Sequence, residues 1–213
     1  MISKYKHIIW DWNGTLFNDV ALCLDVINRI LIKKNLKTLT LKEYRDAFTF
    51  PIREYYINVG FDLTKYPFEE LGIEWMSEYE RRRSESLLHN YAERLLNHIS
   101  NLGIEQSMLS AYPHNYLVEI VKYFNLDSFF THLAGLDHIF ATSKVDLGKK
   151  LIKKLQHSGE EILLIGDTLH DFEVANEMGI KCILVANGHQ SKERLLKCGT
   201  VVVDNLDDLY PEK

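Results

Sequence analysis

The 213-residue chain has little of several features that mark specialised classes of protein. Its three cysteines form no CxxC pair, and its four prolines and eleven glycines make no low-complexity segment. Cys23, Cys182 and Cys198 lie far apart in the sequence. An odd number of dispersed cysteines favours free thiols in a reducing compartment over a disulfide framework.

Long apolar runs and an excess of basic residues are also missing. No run approaches the roughly 18 residues needed to span a bilayer, and no secretory signal peptide is visible at the N-terminus. The formal net charge of −5 argues against a dedicated nucleic-acid-binding protein. We therefore expect a cytoplasmic protein, a monomer or homodimer, that binds neither membrane nor nucleic acid.

Apolar residues make up 46% of the chain, enough for a substantial core. Short apolar strands alternate with amphipathic helices after about residue 103, which predicts an α/β fold with a doubly wound parallel sheet. Asn18 or Asp19 can cap a first helix that runs to about Asn35. From there to about Leu102 we find no convincing alternating strand, and Phe68 to Leu87 is predicted to be one longer helix. The sequence thus predicts a core domain from residues 1–16 and 96–213, and an inserted α-helical cap domain from residues 17–95.

Two acidic motifs follow apolar strands. His7-Ile8-Ile9-Trp10 runs into Asp11, with Gly14 and Thr15 just beyond, and Ile162 to Ile165 runs into Gly166-Asp167, with Asp171 one helical turn later. The carboxyl ends of parallel strands are where open α/β sheets place their chemistry. Converging carboxylates suit Mg²⁺, which prefers oxygen ligands.

These motifs carry a family resemblance over nearly the whole chain. Asp11-Trp12-Asn13-Gly14-Thr15-Leu16 and Gly166-Asp167 with Asp171 resemble the nucleophile and metal motifs of the haloacid dehalogenase superfamily, whose members are mostly phosphatases. Ser110 and Lys144 stand where that family binds the phosphoryl group. The helical insertion is similar to the cap of the phosphoglycolate phosphatase and β-phosphoglucomutase-like branch.

The resemblance implies a Mg²⁺-dependent phosphatase that hydrolyses a small phosphorylated metabolite. Asp11 would attack phosphorus and form an aspartyl-phosphate. Mg²⁺ would be bound by the side chains of Asp11, Asp167 and Asp171 and the main-chain carbonyl of Asn13. The metal would screen the repulsion between the anionic nucleophile and the anionic substrate.

The resemblance also implies which groups hold the phosphate. Ser110, Lys144 and the turn at Gly14 and Thr15 would stabilise the phosphoryl oxygens. Lys149 and Lys150 are rivals of Lys144, but both lie inside a predicted helix. Arg53, near the start of a cap helix, is either a substrate contact or a surface arginine.

Asn13 departs from the family pattern, because phosphatases of this family normally carry an Asp there as general acid and base. An amide cannot donate and recover a proton at neutral pH, and losing a general acid costs about 10²- to 10⁴-fold in rate. The enzyme is then a slow phosphatase for leaving groups that need little protonation, such as those of acyl or aryl phosphates, or the proton comes from a cap residue or a metal-bound water, with His89, His98 and Arg53 as candidate residues. An impaired phospho-ligand-binding protein is the alternative.

A metal-free dehalogenase is a further alternative, which the retained Asp167 and Asp171 disfavour. The three tryptophans, Trp10, Trp12 and Trp75, are predicted to be packing residues, although Trp12 is close enough to the nucleophile to shape the pocket.

Overall fold

The computed structural model describes residues 2–141 and 143–210. Its central sheet has six parallel strands in the spatial order β5-β4-β1-β6-β7-β8. These strands are β1 (His7–Trp10), β4 (Glu105–Pro113), β5 (His132–Leu136), β6 (Ile162–Gly166), β7 (Lys181–Val185) and β8 (Val201–Val203). The predicted α/β fold with a doubly wound parallel sheet is confirmed.

The helices form two groups along the chain. The first group lies in the predicted insertion: α1 (Val20–Lys33), α2 (Leu41–Ala47), α3 (Ile52–Asn58) and α4 (Phe68–Arg82). The second group connects the strands: α5 (Ala92–Asn101), α6 (His114–Tyr123), α7 (Val145–Ile152), α8 (Leu169–Met178) and α9 (Lys192–Leu195). Among the described residues, no helix is both long and apolar enough to cross a membrane.

Successive strand residues point to opposite faces of the sheet, and helices cover both faces. Ile8 belongs to one apolar cluster, with Leu96 of α5, whereas Ile9 belongs to a second cluster, with Val174 of α8. All four residues of β1 are buried, in agreement with their continuous apolar pattern. β1 lies between β4 and β6, so Asp11 emerges at the middle of the sheet edge.

Two expectations for the insertion need correction. A two-stranded antiparallel ribbon joins β2 (Phe17–Asn18) to β3 (Leu87–Leu88), so the segment does contain strands. The helix expected from Phe68 to Leu87 ends at Arg82 and continues as a 3₁₀ turn over Arg83–Glu85. A two-residue strand has no measurable periodicity, which is why the sequence did not reveal the ribbon.

Candidate active site

Asp11 follows directly from β1, and its backbone N–H continues the sheet by donating to the Ile165 carbonyl at 2.9 Å. The chain then turns tightly: Gly14 has a φ of +76°, which favours glycine. A Cβ on Gly14 would collide with the Asp167 carboxylate and lie 2.5 Å from His189 Cδ2. Glycine is therefore required both by the backbone and by the close approach of Asp167.

The second acidic motif is set by the start of α8. Thr168 caps this helix and shares a capping box with Asp171: Asp171 Oδ2 accepts from the Thr168 backbone N–H at 2.9 Å and from its hydroxyl at 2.6 Å. The Asp171 side chain is thereby turned back toward the strand end. Asp167, at the end of β6, accepts a 2.6 Å hydrogen bond on Oδ2 from the backbone N–H of His189.

The structure brings Asp11, Asp167, Asp171 and Lys144 together, and we call these four residues the catalytic cluster. One oxygen of each carboxylate lies within 4.8 Å of the others, and all four side chains are buried. Lys144 Nζ contacts Asp11 Oδ1 and lies 2.7 Å from Asp171 Oδ1. It also donates to the Leu109 carbonyl at 3.0 Å.

The cluster holds three carboxylates and one lysine, which contacts only Asp11 and Asp171, and the pKa values reflect this shortage of positive charge. Burial, with Asp171 and Asp167 nearby, raises the pKa of Asp11 to about 8 despite Lys144. Burial also raises the pKa of Asp167 to about 6. Asp171 has its pKa lowered because Lys144 and Thr168 outweigh burial. The negative charge of the cluster is therefore only partly compensated. A divalent cation would supply the further positive charge.

Ser110 and Thr15 stand beside this cluster with different roles. Ser110 is buried and lines the cavity above Asp11. Its Oγ accepts from the Tyr112 backbone N–H at 3.1 Å, which leaves its O–H available to a phosphoryl oxygen. Thr15 Oγ1 donates toward Asp167 Oδ1 at 3.1 Å, and therefore holds a carboxylate in place.

Asn13 belongs to a second buried group, which we call the Asp19 cluster: Asp19, Asn13, Tyr79 and His189. Asn13 Nδ2 donates to Asp19 Oδ2 and to the Tyr79 hydroxyl oxygen, both at 2.8 Å, and the Tyr79 O–H donates to Asp19 Oδ2 at 2.7 Å. Because the Asp19 carboxylate only accepts, the amide nitrogen must face it. The N–H groups of Asn13 are thus engaged within the protein.

His189 gives the Asp19 cluster its positive charge. His189 Nε2 lies 3.2 Å from Asp19 Oδ1, and Nδ1 lies 2.8 Å from the hydroxyl of Tyr44 on α2. Burial disfavours the charged imidazole, but Asp19 outweighs it and raises the pKa of His189 to about 9. In the same way His189, Asn13 and Tyr79 outweigh burial and lower the pKa of Asp19 to about 2.

Gly14 joins the two clusters. Its N–H donates to the Phe17 carbonyl at 2.8 Å and to Asp19 Oδ1 at 3.0 Å. That amide is therefore engaged within the protein, and we no longer expect it to bind a phosphate. Gly14 and Thr15, predicted as substrate-binding residues, instead support the carboxylates of the two clusters.

Several other candidate residues lie away from the catalytic cluster. Arg53 is exposed on α3, with its guanidinium 5.9 Å from the Phe68 ring, and does not line the cavity. Lys149 is exposed and pairs with Glu177 at 2.6 Å, whereas Lys144 is buried beside Asp11 and Asp171. His89 and His98 do not line the cavity either.

Of the tryptophans that were expected to be packing residues, Trp12 agrees with the expectation and Trp75 does not. Trp12 is fully buried, stacked on Phe17 with centroids 5.2 Å apart, and does not line the cavity. Trp75, expected to be a packing residue, is half-buried and lines the cavity, stacked on Tyr79 at 4.8 Å. The sequence pattern does not distinguish these two tryptophans. The path of the folded chain decides which of them lines the cavity.

Sequence reasoning also missed Asp19, Tyr79 and His189. Asp19 was considered only as a helix cap, yet it makes no side-chain capping hydrogen bond and turns toward Gly14 instead. His189 follows β7 in a Gly-His pair, at the same sheet edge as Asp11 and Asp167. Its position after an apolar strand was a signal that could have found it.

Comparisons with known proteins agree with this fold. A family model described as haloacid dehalogenase-like hydrolase matches residues 8–185. A haloacid dehalogenase-like family protein from Streptococcus pneumoniae has a similar structure, with a TM-score of 0.83, 20% identity and 98% of each chain covered.

Two curated relatives are phosphate-releasing enzymes by name. A phosphoglycolate phosphatase from Pseudomonas syringae is 19% identical over 97% of this chain and 79% of its own length. A 5'-nucleotidase from Pseudomonas aeruginosa is 26% identical over 90% of this chain and 87% of its own length.

Proposed function

We propose that this chain, which belongs to the haloacid dehalogenase-like hydrolase family, is a Mg²⁺-dependent phosphatase that acts on a small phosphorylated metabolite. The observation that carries the proposal is the catalytic cluster, in which three buried carboxylates lie together at the carboxyl edge of the sheet and two of them, Asp11 and Asp171, contact one lysine. The named activities of the two relatives, a phosphoglycolate phosphatase and a 5'-nucleotidase, support a phosphate monoester as substrate.

Asp11 is the proposed nucleophile because its carboxylate lies at the floor of the cavity, at the end of the central strand. One Asp11 oxygen attacks phosphorus, and the bond to the leaving oxygen breaks, which gives an aspartyl-phosphate. Water then releases inorganic phosphate and regenerates the carboxylate. Lys144 keeps Asp11 oriented through their direct contact and offers positive charge to the phosphoryl oxygens.

The donor set fits Mg²⁺, since the catalytic cluster offers only carboxylate oxygens and is short of positive charge. Asp11, Asp167 and Asp171 would hold the ion, with the main-chain carbonyl of Asn13 as a further proposed ligand. Bound there, the ion would neutralise the nucleophile and the transferring phosphoryl group. Ser110 lies on β4, next to β1. From there its O–H would donate a hydrogen bond to a phosphoryl oxygen.

Asn13 does not act as a proton donor in this proposal. Its amide fixes Asp19 and Tyr79, and it lines the cavity with no acidic proton to give. The leaving group therefore departs with little help from a protein acid. Slow turnover of poor leaving groups is the expected consequence.

We propose that residues 17–95 form a cap that covers the site and excludes water. Arg45 of α2 donates to the Asn187 and Gly188 carbonyls at 3.0 Å each, and Gln190 Nε2 donates to the Phe48 carbonyl at 2.9 Å. These hydrogen bonds join the cap to the loop that carries His189. The boundary between residues 95 and 96 falls inside α5. We also propose that the protein is cytoplasmic and is a monomer or a homodimer.

The test is phosphate release from a panel of phosphate esters and acyl phosphates, with Mg²⁺ or EDTA. We expect Mg²⁺-dependent release by the wild type and a loss of about 10⁴-fold or more in Asp11→Asn. Asp25→Asn is the matched control, because Asp25 is 45% exposed and pairs with Arg29 on the surface. Release that survives Asp11→Asn, or ligand-dependent stabilisation without any release, would contradict the phosphatase.

A further inference from the structure

The active-site cavity is enclosed largely by aromatic rings. It measures about 120 Å³ and extends from Asp11 and Ser110 to the cap. Six of the rings that line it are Phe50, Phe68, Trp75, Tyr79, Tyr112 and Phe140. They come from the α2–α3 loop, from α4 and from the ends of the core strands, so cap and core both contribute.

The cavity offers no cation to a second anionic group on the substrate. Its acidic lining residues are Asp11, Asp19, Asp167 and Asp171, and Lys144 is the one lysine among its described lining residues, which include no arginine. The positive charge of His189 is directed at Asp19. A substrate carboxylate would be buried there without a partner, which would weaken binding by about 10- to 10²-fold.

Three arginines of the cap and core, Arg45, Arg83 and Arg194, are engaged in contacts within the protein. Arg45 and Arg194 donate to backbone carbonyls that join the cap to the core. Arg83 pairs with Glu80 at 2.8 Å and with Glu119 at 2.7 Å. None of them can reach a substrate without releasing these contacts. This charge pattern disfavours 2-phosphoglycolate, whose second group is a carboxylate.

The chemistry of Asn13 restricts the leaving group independently of the cavity. Without a protein acid, the leaving oxygen must depart as an anion. A phenol has a pKa of about 10, as in the tyrosine side chain, against about 15.7 for water, which aliphatic alcohols resemble. A phenolate is less basic than an alkoxide by several orders of magnitude. It is therefore the better leaving group.

We propose that the substrate is the phosphate monoester of a small phenol, whose ring occupies the aromatic part of the cavity. This inference rests on the proposed phosphatase function. Asp11 forms the new bond to phosphorus, and the P–O bond breaks with its electron pair on the phenolate, which takes a proton from solvent. Water then cleaves the aspartyl-phosphate to inorganic phosphate.

The size of the cavity agrees with one ring. A cavity of about 150 Å³ lined by apolar side chains is known to hold benzene, and the 120 Å³ here is of that order. A nucleoside is considerably larger than a single ring. The Tyr55 hydroxyl is buried without a hydrogen-bond partner among residues 2–141 and 143–210, and Tyr55 lines the cavity. It offers a neutral hydrogen bond to a ring substituent.

The experiment compares kcat/KM for phenyl phosphate, acetyl phosphate, ethyl phosphate and 2-phosphoglycolate with Mg²⁺. We expect phenyl phosphate to exceed 2-phosphoglycolate by about 10²-fold, from the uncompensated carboxylate alone. A binding measurement accompanies it: phenylphosphonate should raise the unfolding midpoint more than phosphonoacetate does at equal concentration. These two phosphonates differ in the ring and the carboxylate and cannot be hydrolysed by the phosphatase reaction.

The outcomes separate this inference from the phosphatase itself. Faster turnover of 2-phosphoglycolate or ethyl phosphate than of phenyl phosphate would overturn the phenol while leaving the phosphatase in place. Selective binding of phenylphosphonate without turnover of any ester would support the aromatic site and remove the phosphatase. Neither turnover nor selective binding would contradict both.

Trp75→Leu tests the aromatic lining directly. We expect the ratio of kcat/KM for phenyl phosphate to that for acetyl phosphate to fall about tenfold, mainly through KM, the upper range of one aromatic contact. Tyr66→Leu is the matched control: Tyr66 is also a half-buried aromatic residue of the insertion, but it lies outside the cavity. An equal change of the ratio in both variants would contradict a ring site at Trp75.

Discussion

The two buried acidic clusters on either side of Gly14 differ in how completely their charges are compensated. In the Asp19 cluster one carboxylate is paired with His189 and accepts hydrogen bonds from Asn13 and Tyr79, and its pKa is lowered to about 2. In the catalytic cluster Lys144 contacts two of three carboxylates, Asp11 and Asp171, and the pKa of Asp11 is raised to about 8.

The difference shows how to distinguish a supporting cluster from a reactive one at equal burial. The Asp19 cluster is complete with protein groups alone, so it can hold Asn13 and Gly14 in place. The catalytic cluster is incomplete, and binding a cation is the direct way to relieve its repulsion. Perturbed carboxylates of this kind are typical of functional sites.

The largest expected effect comes from exchanging the residue types of the Asn13–Asp19 pair. Asn13→Asp alone would place two carboxylates in contact at the 2.8 Å position, so we expect little gain in rate and a lower unfolding midpoint. Combining it with Asp19→Asn keeps the net charge of the pair and the hydrogen bond between residues 13 and 19, at the cost of the ion pair between Asp19 and His189. For esters with poor leaving groups the double variant should gain about 10²-fold or more in kcat.

Ethyl phosphate is the appropriate substrate for this comparison, with kcat and thermal unfolding measured for all three variants. A full gain in the single variant Asn13→Asp would mean that Asp19 does not oppose a second carboxylate. No gain in the double variant would mean that proton transfer does not limit the reaction.

Gly14→Ala should disturb both clusters, because the new Cβ would collide with Asp167 and His189. A displacement of about 1 Å at a reacting group can cost about 10²-fold in rate, and we expect a loss of that order in kcat/KM for phenyl phosphate. Gly60→Ala is the control, since Gly60 also has a positive φ, of +103°, but no atom within 4 Å of an added Cβ.

Both variants should lose stability through backbone strain, and only Gly14→Ala should lose activity. Comparable activity losses in the two variants would show that strain alone explains the effect, and that the close approach of Asp167 is unimportant.

Mg²⁺ should stabilise the protein through the catalytic cluster alone. At about 100 times its dissociation constant, a bound ion adds about 2.7 kcal/mol, or about 5–10 °C in Tm for a chain of this size. Asp167→Asn should abolish this Mg²⁺-dependent shift, whereas Asp19→Asn should lower the starting Tm and keep the shift. Differential scanning fluorimetry with Mg²⁺ and EDTA measures both. A shift that survives Asp167→Asn would place the ion elsewhere.

The smallest expected effect is a pH dependence of stability from His189. Its pKa is 6.5 in the unfolded chain and about 9 in the folded protein. Its contribution is therefore fully present below pH 6.5 and is lost as the pH rises toward 9. Asp19 acts at the other end: its contribution is present above pH 3.8 and is lost as the pH falls toward 2.

Denaturant unfolding in EDTA between pH 6 and 9.5 measures this effect, which is at most about 3 kcal/mol. His189→Gln should flatten the slope over that range, whereas His114→Gln, at an exposed residue, should retain it. An unchanged slope in His189→Gln would show that His189 does not carry the charge that we assign to it.

Much of the catalytic cluster followed from local pattern. Asp11 and Asp167 each end an apolar strand of a parallel sheet, and Asp171 is placed by a capping box within one turn of α8. Lys144 was chosen over Lys149 because it precedes the helix, and the structure places Lys144 in the cluster. Strand ends and helix starts are set by residues a few positions apart, which the sequence displays directly.

The partners of Asn13 could not be predicted in the same way. The hydrogen bond from Asn13 to Tyr79 spans 66 positions, and the one between Tyr44 and His189 spans 145. Arg53 was a candidate to bind an anionic group of the substrate, but it lies on the exposed side of α3. Which side of a cap helix faces the site depends on how that helix packs, and periodicity does not specify it.

The sequence by itself determined the parallel α/β sheet, the inserted helices and the carboxylates at the sheet edge, because short-range apolar patterns and strand-end motifs encode them. Only the tertiary structure decided that Asn13 is matched to Asp19, that Trp75 and not Trp12 meets the cavity, and that the cavity has no arginine among its described lining residues. Those features depend on contacts between cap and core, which exist only after distant segments have packed together.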